Sequence, residues 1–325
     1  MTLDTRLTQR LGIDCPILSA PMAFVAGGKL AAAVTAAGGL GLIGGGYGDA
    51  DWLEREFAAA GNARVGCGFI TWSLALQPRL LARSLAHSPV AVMLSFGAVA
   101  PFAPLVKASG TLLICQVQTL ADAREAVAAG ADIIVAQGGE AGGHAGSRAT
   151  FTLLPEVADY LAKAAPETLL VAAGGIADGR GLAAALMLGA DGVLIGSRFM
   201  MSMEAIFPPA LQAAVMQAAG DDTVKTRVLD IVRGKNWPET ITGRALRNHF
   251  VSDWHGNEEA LAAADTNAHE LQRYMQARDN DDAANTGIFV GEAAGLIHDV
   301  RPAADIVREI AAEAESLLAR KAKTG

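Results

Sequence analysis

Leu169-Leu-Val-Ala-Ala-Gly174-Gly175-Ile-Ala-Asp178-Gly-Arg-Gly181-Leu-Ala-Ala-Ala-Leu-Met-Leu188-Gly-Ala-Asp-Gly192-Val-Leu-Ile-Gly196-Ser197 holds one complete structural unit. An apolar run of strand length ends in paired glycines, an alanine-rich stretch over residues 181–188 has helical spacing, and a second apolar run ends in glycine again. Strand, helix, strand in that order reads as a parallel crossover. The alternation continues upstream through Pro16-Ile-Leu-Ser19, Leu40-Gly-Leu-Ile43, Arg64-Val-Gly-Cys-Gly-Phe-Ile70, Val90-Ala-Val-Met-Leu94, Leu112-Leu-Ile-Cys115 and Asp132-Ile-Ile-Val135. Helical stretches such as 30–37 and 120–129 lie between them. An open doubly wound sheet commonly uses five or six strands, whereas eight close a ring. The first run is followed by Ala20-Pro21-Met22-Ala23, which is no dinucleotide-binding fingerprint. The expected fold is α/β, a (β/α)8 TIM barrel.

Composition agrees with such a barrel. The 325 residues suit one barrel with an appendage, and 36 glycines exceed what core filling requires. A net charge of −8 without a long basic run leaves no electrostatic footprint for nucleic acid or an anionic membrane, so both are set aside as partners. Cys15, Cys67 and Cys115 are scattered beside apolar runs and read as inert buried thiols. The N-terminus shows no basic, apolar, cleavable leader, and the expected location is cytoplasmic. A homodimer is compatible with this reading. Beyond about Met200 the alternation stops. Residues 205–274 read as helices carrying Trp237 and Trp254, residues 276–286 as a polar surface loop, and residues 303–320 as an amphipathic helix placed to close the outer ring. The expected division is a barrel over 1–203 and 287–325 with an added C-terminal helical lid subdomain over 204–286, at the catalytic end, with Trp237 or Trp254 facing the pocket.

In such barrels the site lies at the C-terminal ends of the strands, and the loops after the seventh and eighth often hold a phosphate. Here those loops read Ala173-Gly174-Gly175-Ile176 and Gly196-Ser197-Arg198-Phe199, where free backbone N–H groups can converge on an anion, although glycines that merely cap strands would look the same. The sixth run ends in Gln137-Gly-Gly-Glu140-Ala-Gly-Gly-His144-Ala-Gly146. Five glycines around one histidine fit backbone flattened against a planar ring, with an imidazole able to act as acid, base or donor. Glu140 either orients that imidazole or is solvated at the loop edge. Pro21, Met22 and Ala23 after the first run, and Gln116 after the fifth, offer contacts to a polar ring edge. The remaining histidines form no HxxxH, HxH or HExxH pair, so no metal site is expected.

Taken in order, these segments resemble the nitronate monooxygenase (2-nitropropane dioxygenase) family of FMN-dependent barrels, with the glycine-histidine motif the specific one. The resemblance covers about residues 10 to 203, and Gly287-Ile-Phe-Val-Gly-Glu-Ala-Ala-Gly-Leu296 is similar to the family's closing segment. It implies FMN held by Pro21, Met22, Ala23, Gln116, Gln137, Gly142, Ala173, Gly174, Gly175, Gly196 and Ser197, with His144 catalytic. It further implies oxidation of an alkyl nitronate or nitroalkane, such as propionate 3-nitronate, with O2 to a carbonyl compound and nitrite. Gly68 stands at a cofactor-facing position where many members carry asparagine, which leaves Thr71 or Trp72 to replace the lost contact. An NAD(P)H-dependent flavin reductase acting on a quinone or enoyl thioester, and a flavin-free barrel binding a phosphorylated ligand, are the alternatives.

Overall fold

The computed structural model describes residues 3–322. Its strands, in chain order, are β1 (Ile17–Ser19), β2 (Leu40–Gly44), β3 (Gly66–Ile70), β4 (Ala91–Ser95), β5 (Leu112–Val117), β6 (Ile133–Gln137), β7 (Gly143–Ala145), β8 (Leu169–Ala173), β9 (Gly192–Ile195), β10 (Thr223–Thr226) and β11 (Thr242–Leu246). Eight of them close a parallel barrel in the order β1-β2-β3-β4-β5-β6-β8-β9, with β1 paired to both β2 and β9, so no edge is left exposed. All eight apolar runs become barrel strands.

The runs are continuous because each strand is buried on both faces. Leu18, Met93, Ile114, Val135, Val171 and Leu194 point inward, joined from below by Leu7 and Leu11 of the helix Arg6–Leu11. Their neighbours Ile17, Val92, Leu113, Ile134, Ala172 and Val193 pack outward against the helices. Cys67 and Cys115 belong to that outer layer, where burial pushes both thiols up to about 12 and keeps them protonated. The period of two also fixes the upper inner positions. Above the apolar layers, Gly68, Ser95, Gln116, Gln137 and Ala173 come to the inner C-terminal rim. Gln116 therefore lies within β5 itself, one residue short of its end.

The helix Ala303–Ala322 packs between the helices Gly179–Met187 and Gly28–Ala36 and completes the outer ring. Its Glu313 carboxylate accepts the Gly179 N–H at 2.7 Å.

The segment after the barrel is not wholly helical. β10 and β11 pair antiparallel, and β11 pairs in turn with β7, giving a three-stranded sheet in the order β10-β11-β7. Thr-Val-Lys-Thr and Thr-Gly-Arg-Ala-Leu are too short and too polar to carry a legible strand pattern alone. The helix Ala264–Asp279 likewise runs into the stretch read as a loop. The short helices around it share a separate core built on Val228, Leu229, Phe250, Leu261 and Tyr274.

A Cβ on Gly179 would lie 2.5 Å from Ala314 N and 2.7 Å from Ile310 O. Gly179→Ala is expected to destabilise the fold by about 1–3 kcal/mol through overpacking. Urea unfolding should show a lower midpoint at unchanged m, and an unchanged midpoint would mean that the closing helix is loosely seated.

Candidate active site

A cavity of about 420 Å³ opens at the C-terminal end of the barrel, the place where this fold collects its functional groups. Its floor is the inner rim. Gln116 Nε2 and Gln118 Nε2 both donate to Gln137 Oε1 at 3.0 Å, which leaves the Gln137 amide nitrogen with no protein acceptor among the described residues. Pro21, Met22 and Ala23 line the cavity after β1, and Gly142, Ala173, Gly174, Gly175, Gly196 and Ser197 line it beyond β6, β8 and β9.

The glycines do different jobs. Gly174 and Gly175 adopt φ of +98° and +72°, conformations that side-chain-bearing residues rarely take. A Cβ on Gly196 would meet nothing closer than Ala20 Cβ at 3.6 Å. Among the described residues, the N–H groups of Gly174, Gly175 and Gly196 donate to no backbone acceptor, so this end of the cavity presents unspent donors, a fit to a phosphate. Gly142 lines the cavity and is also tightly packed: a Cβ there would stand 2.5 Å from Gly291 N, whose N–H donates to Ser197 Oγ at 3.0 Å. Gly68 has a steric cause. A Cβ would lie 2.3 Å from Pro21 Cγ, so the proline that stiffens the first strand's exit excludes any side chain on the third. Thr71 and Trp72 do not line the cavity and supply no replacement; the Trp72 ring packs edge-on against Trp237 at 5.5 Å.

His144 sits in β7 opposite Gly243 of β11, where a Cβ would stand 2.7 Å from Phe289 Cε1 and 3.5 Å from His144 Nε2, so the bare glycine makes room for the Phe289 ring beside the imidazole. His144 Nε2 is 2.8 Å from Asp230 Oδ2, and Asp230 Oδ1 accepts from Arg233 Nη2 at 2.9 Å. Trp237 stacks flat on the imidazole, centroids 3.4 Å apart and 5° from parallel. Burial pushes the imidazole below its ordinary value of 6.5, and this outweighs the upward pull of Asp230. The ring is therefore neutral near pH 7. A carboxylate at Nε2 accepts a proton there, so the lone pair resides on Nδ1.

Glu140 takes neither of its expected roles. Its carboxylate accepts the Thr150 N–H at 2.9 and 3.1 Å and the Thr150 hydroxyl at 2.9 Å, capping the helix Thr150–Ala164. The loop around His144 is clamped from the appended segment. Lys225 Nζ donates to the Ala145 and Gly146 carbonyls, and Arg244 donates to Gly139 O at 3.1 and 3.2 Å. Asp230, Lys225 and Arg244 carried no sequence signal, because each meets the His144 loop across a long stretch of chain, and Arg233 enters only through Asp230, three residues before it. Of the two tryptophans, Trp237 reaches the cavity, whereas Trp254 donates to Glu270 away from it. Among the described residues no cluster of metal-ligating side chains occurs, and no helix is long and apolar enough to cross a membrane.

The family model for nitronate monooxygenase matches residues 4–64 and 76–313. The chain belongs to the nitronate monooxygenase family. It is an oxidoreductase, 35% identical to a nitronate monooxygenase of Neurospora crassa over 92% of this chain and 89% of that one. Among solved structures, FabK from Thermotoga maritima superposes with a TM-score of 0.86 at 30% identity, covering 100% of both chains. A nitroalkane oxidase from Streptomyces ansochromogenes superposes at 0.80 with 27% identity, covering 95% of this chain and 98% of that one. At Gly68, outside the residues that the family model matches, this nitronate monooxygenase relative carries glycine for the steric reason given by Pro21.

Two outcomes follow from this geometry. Gly68→Asn should destabilise the fold by about 1–3 kcal/mol through collision with Pro21, read as a lower urea midpoint. Because Asp230 raises the imidazole and burial lowers it, the acid limb of kcat/KM should fall below 6.5 in the native enzyme and lower still in Asp230→Asn. A pH profile whose acid limb moves upward in that variant would remove Asp230 from control of His144.

Proposed function

We propose that this chain is an FMN-dependent enzyme that oxidises nitronates, or the nitroalkanes from which they form, with O2 to a carbonyl compound and nitrite. The observation that carries the reading is a single cavity with unspent glycine N–H groups at one end and a neutral, carboxylate-locked imidazole lining it. Gly174, Gly175 and Gly196 would hold the phosphate, with Ser197 beside them. The Gln116 and Gln137 amides and the Pro21–Met22–Ala23 backbone would face polar parts of the cofactor. Bound there, FMN supplies the electron acceptor and the route to dioxygen. In the overall change the carbon–nitrogen bond breaks, nitrogen leaves as nitrite and carbon becomes a carbonyl. Two nitronates and one O2 give two carbonyl compounds and two nitrites, which balances atoms and charge.

The chain's own contribution centres on His144. With its Nε2 proton held by Asp230, the free Nδ1 lone pair can remove the α-proton of a neutral nitroalkane. The same neutral ring has no second N–H to offer an anionic nitro group, so the tautomer favours the base over the hydrogen-bond donor. Trp237 on the ring face excludes water and restrains the imidazole plane.

Anaerobic mixing tests the reading. Ethyl nitronate should bleach the flavin absorbance of the purified enzyme and NADH should not; rapid bleaching by NADH alone would make it an NAD(P)H-dependent reductase. His144→Ala should retain flavin and lose roughly 10²-fold or more in turnover of nitroethane, the scale of a general base. Near-native turnover in that variant would return His144 to a packing role.

A further inference from the structure

The cavity has two chemically different poles. In a ring of eight strands the third and fourth stand across the axis from the seventh and eighth, so β3 and β4 face β8 and β9. The β8 and β9 ends carry the glycines with unspent donors. The opposite wall is aromatic. Of the chain's ten Phe, four Trp and three Tyr, eight line this one cavity. Tyr47 follows β2 and Phe96 follows β4, while Trp237 and Phe289 arrive from beyond the barrel. The Phe96 ring meets Trp237 edge-on at 5.1 Å, and Tyr47 meets it at 6.3 Å.

One member of this wall is held against local preference. Among the described residues four non-glycine residues adopt a left-handed backbone, and Phe96 is the one of them that belongs to the wall. Such conformations persist where the surroundings impose them and cluster at ligand sites. At φ +64°, Phe96 holds its ring on the cavity where a glycine would hold the backbone more easily.

Charge narrows the occupant further. Among the described residues, the guanidinium groups lining the cavity are those of Arg233 and Arg278, and each already holds a carboxylate, Asp230 at 2.9 Å and Asp279 at 2.8 Å. Arg233 is committed to the pair beside His144, Arg278 belongs to an exposed pair, and the Lys235 ammonium, 4.6 Å from the Tyr47 ring centroid, covers that ring without lining the cavity.

We propose that the substrate of this site is a nitronate or nitroalkane whose reacting carbon bears an aromatic or comparably flat apolar group, recognised by the wall of Tyr47, Phe96 and Trp237. This rests on the nitronate reading above. A planar ring gains offset and edge-to-face contacts from such a wall, whereas a short alkyl chain leaves most of it unfilled and a second carboxylate is desolvated against apolar rings.

A carboxylate is shaped like a nitronate but cannot react, so binding can be read without turnover. Phenylacetate, propionate and succinate mimic the nitronates of phenylnitromethane, nitroethane and 3-nitropropionate. Titration calorimetry on the flavin-loaded full chain should give phenylacetate a Kd at least about tenfold below both others, the scale of a few buried apolar carbons. Phe96→Gly removes the ring at a φ that suits glycine and should bring the ratio within about threefold. Phe96→Leu, which keeps apolar volume, should fall between. Propionate or succinate binding as tightly as phenylacetate, or a ratio unchanged in either variant, would overturn the inference. Nitrite release separates this from failure of the parent reading. Nitrite from ethyl nitronate without phenylacetate preference overturns the aromatic substrate alone. Phenylacetate preference with no nitrite from any nitronate overturns the reaction, and the nitronate part of this proposal with it.

Discussion

Backbone pairing between Gly143–Ala145 and Thr242–Leu246 is the constraint on which the barrel mouth depends. A glycine-rich loop loses more conformational freedom on ordering than any other kind of segment, and three paired residues supply few ladder bonds to offset that loss. The loop is ordered because β11 is itself braced by β10 and because Lys225 and Arg244 bind its carbonyls. The same pairing fixes the register, and register decides which way each side chain faces. His144 opposite Gly243 puts the imidazole beside a bare glycine and the Phe289 ring, within reach of Asp230. A slip of one residue would set it opposite a side chain and turn it to the other face of the sheet.

The legible and illegible parts of the chain divide along physical lines. Barrel strands such as Leu169–Ala173 declare themselves because both faces are buried, so every position is apolar and the run ends where glycines begin. The cavity-facing residues at strand ends follow from the same period. β10 and β11 are different: each has one face toward the local core and one toward polar groups, over four or five residues, and Lys225 and Arg244 occupy positions where a strand pattern would be read. Asp230 is 86 residues from His144, and nothing in Val228-Leu-Asp-Ile-Val232 separates a buried, histidine-bound carboxylate from an ordinary helical one. Gly68 is visible in the sequence as a glycine within a strand, but what requires it lies in Pro21 on a neighbouring turn, and only the folded ring brings those two residues together.

Electrostatics at His144 is a balance between burial and a shared counter-ion. Asp230 divides its two oxygens between the imidazole and Arg233, and the positive charge of Arg233 itself opposes protonation of the ring. Burial is the largest influence and leaves the ring uncharged, Asp230 fixes the tautomer while pulling the other way, and Arg233 adds the smallest push, on the side of burial. Arg233 is held over the Phe289 ring, 4.9 Å from its centroid, so the ion pair, the stacked Trp237 and the aromatic wall form one continuous packing unit.

The helix Ala303–Ala322 fills the outer-ring gap between the first and last strand-helix units, although it comes far later in the chain than the last barrel strand. During synthesis the eight strands therefore emerge well before the piece that covers Val34, Leu182 and their neighbours on the ring. Contacts of such long sequence separation form late, and an open ring exposes apolar helix faces in the interval. The intervening chain thus behaves as an insertion into a closed shape, with both of its ends anchored on the barrel. Its length and loops are free to change across evolution as long as the sealing helix still returns, so the mouth can acquire new walls without the ring being rebuilt.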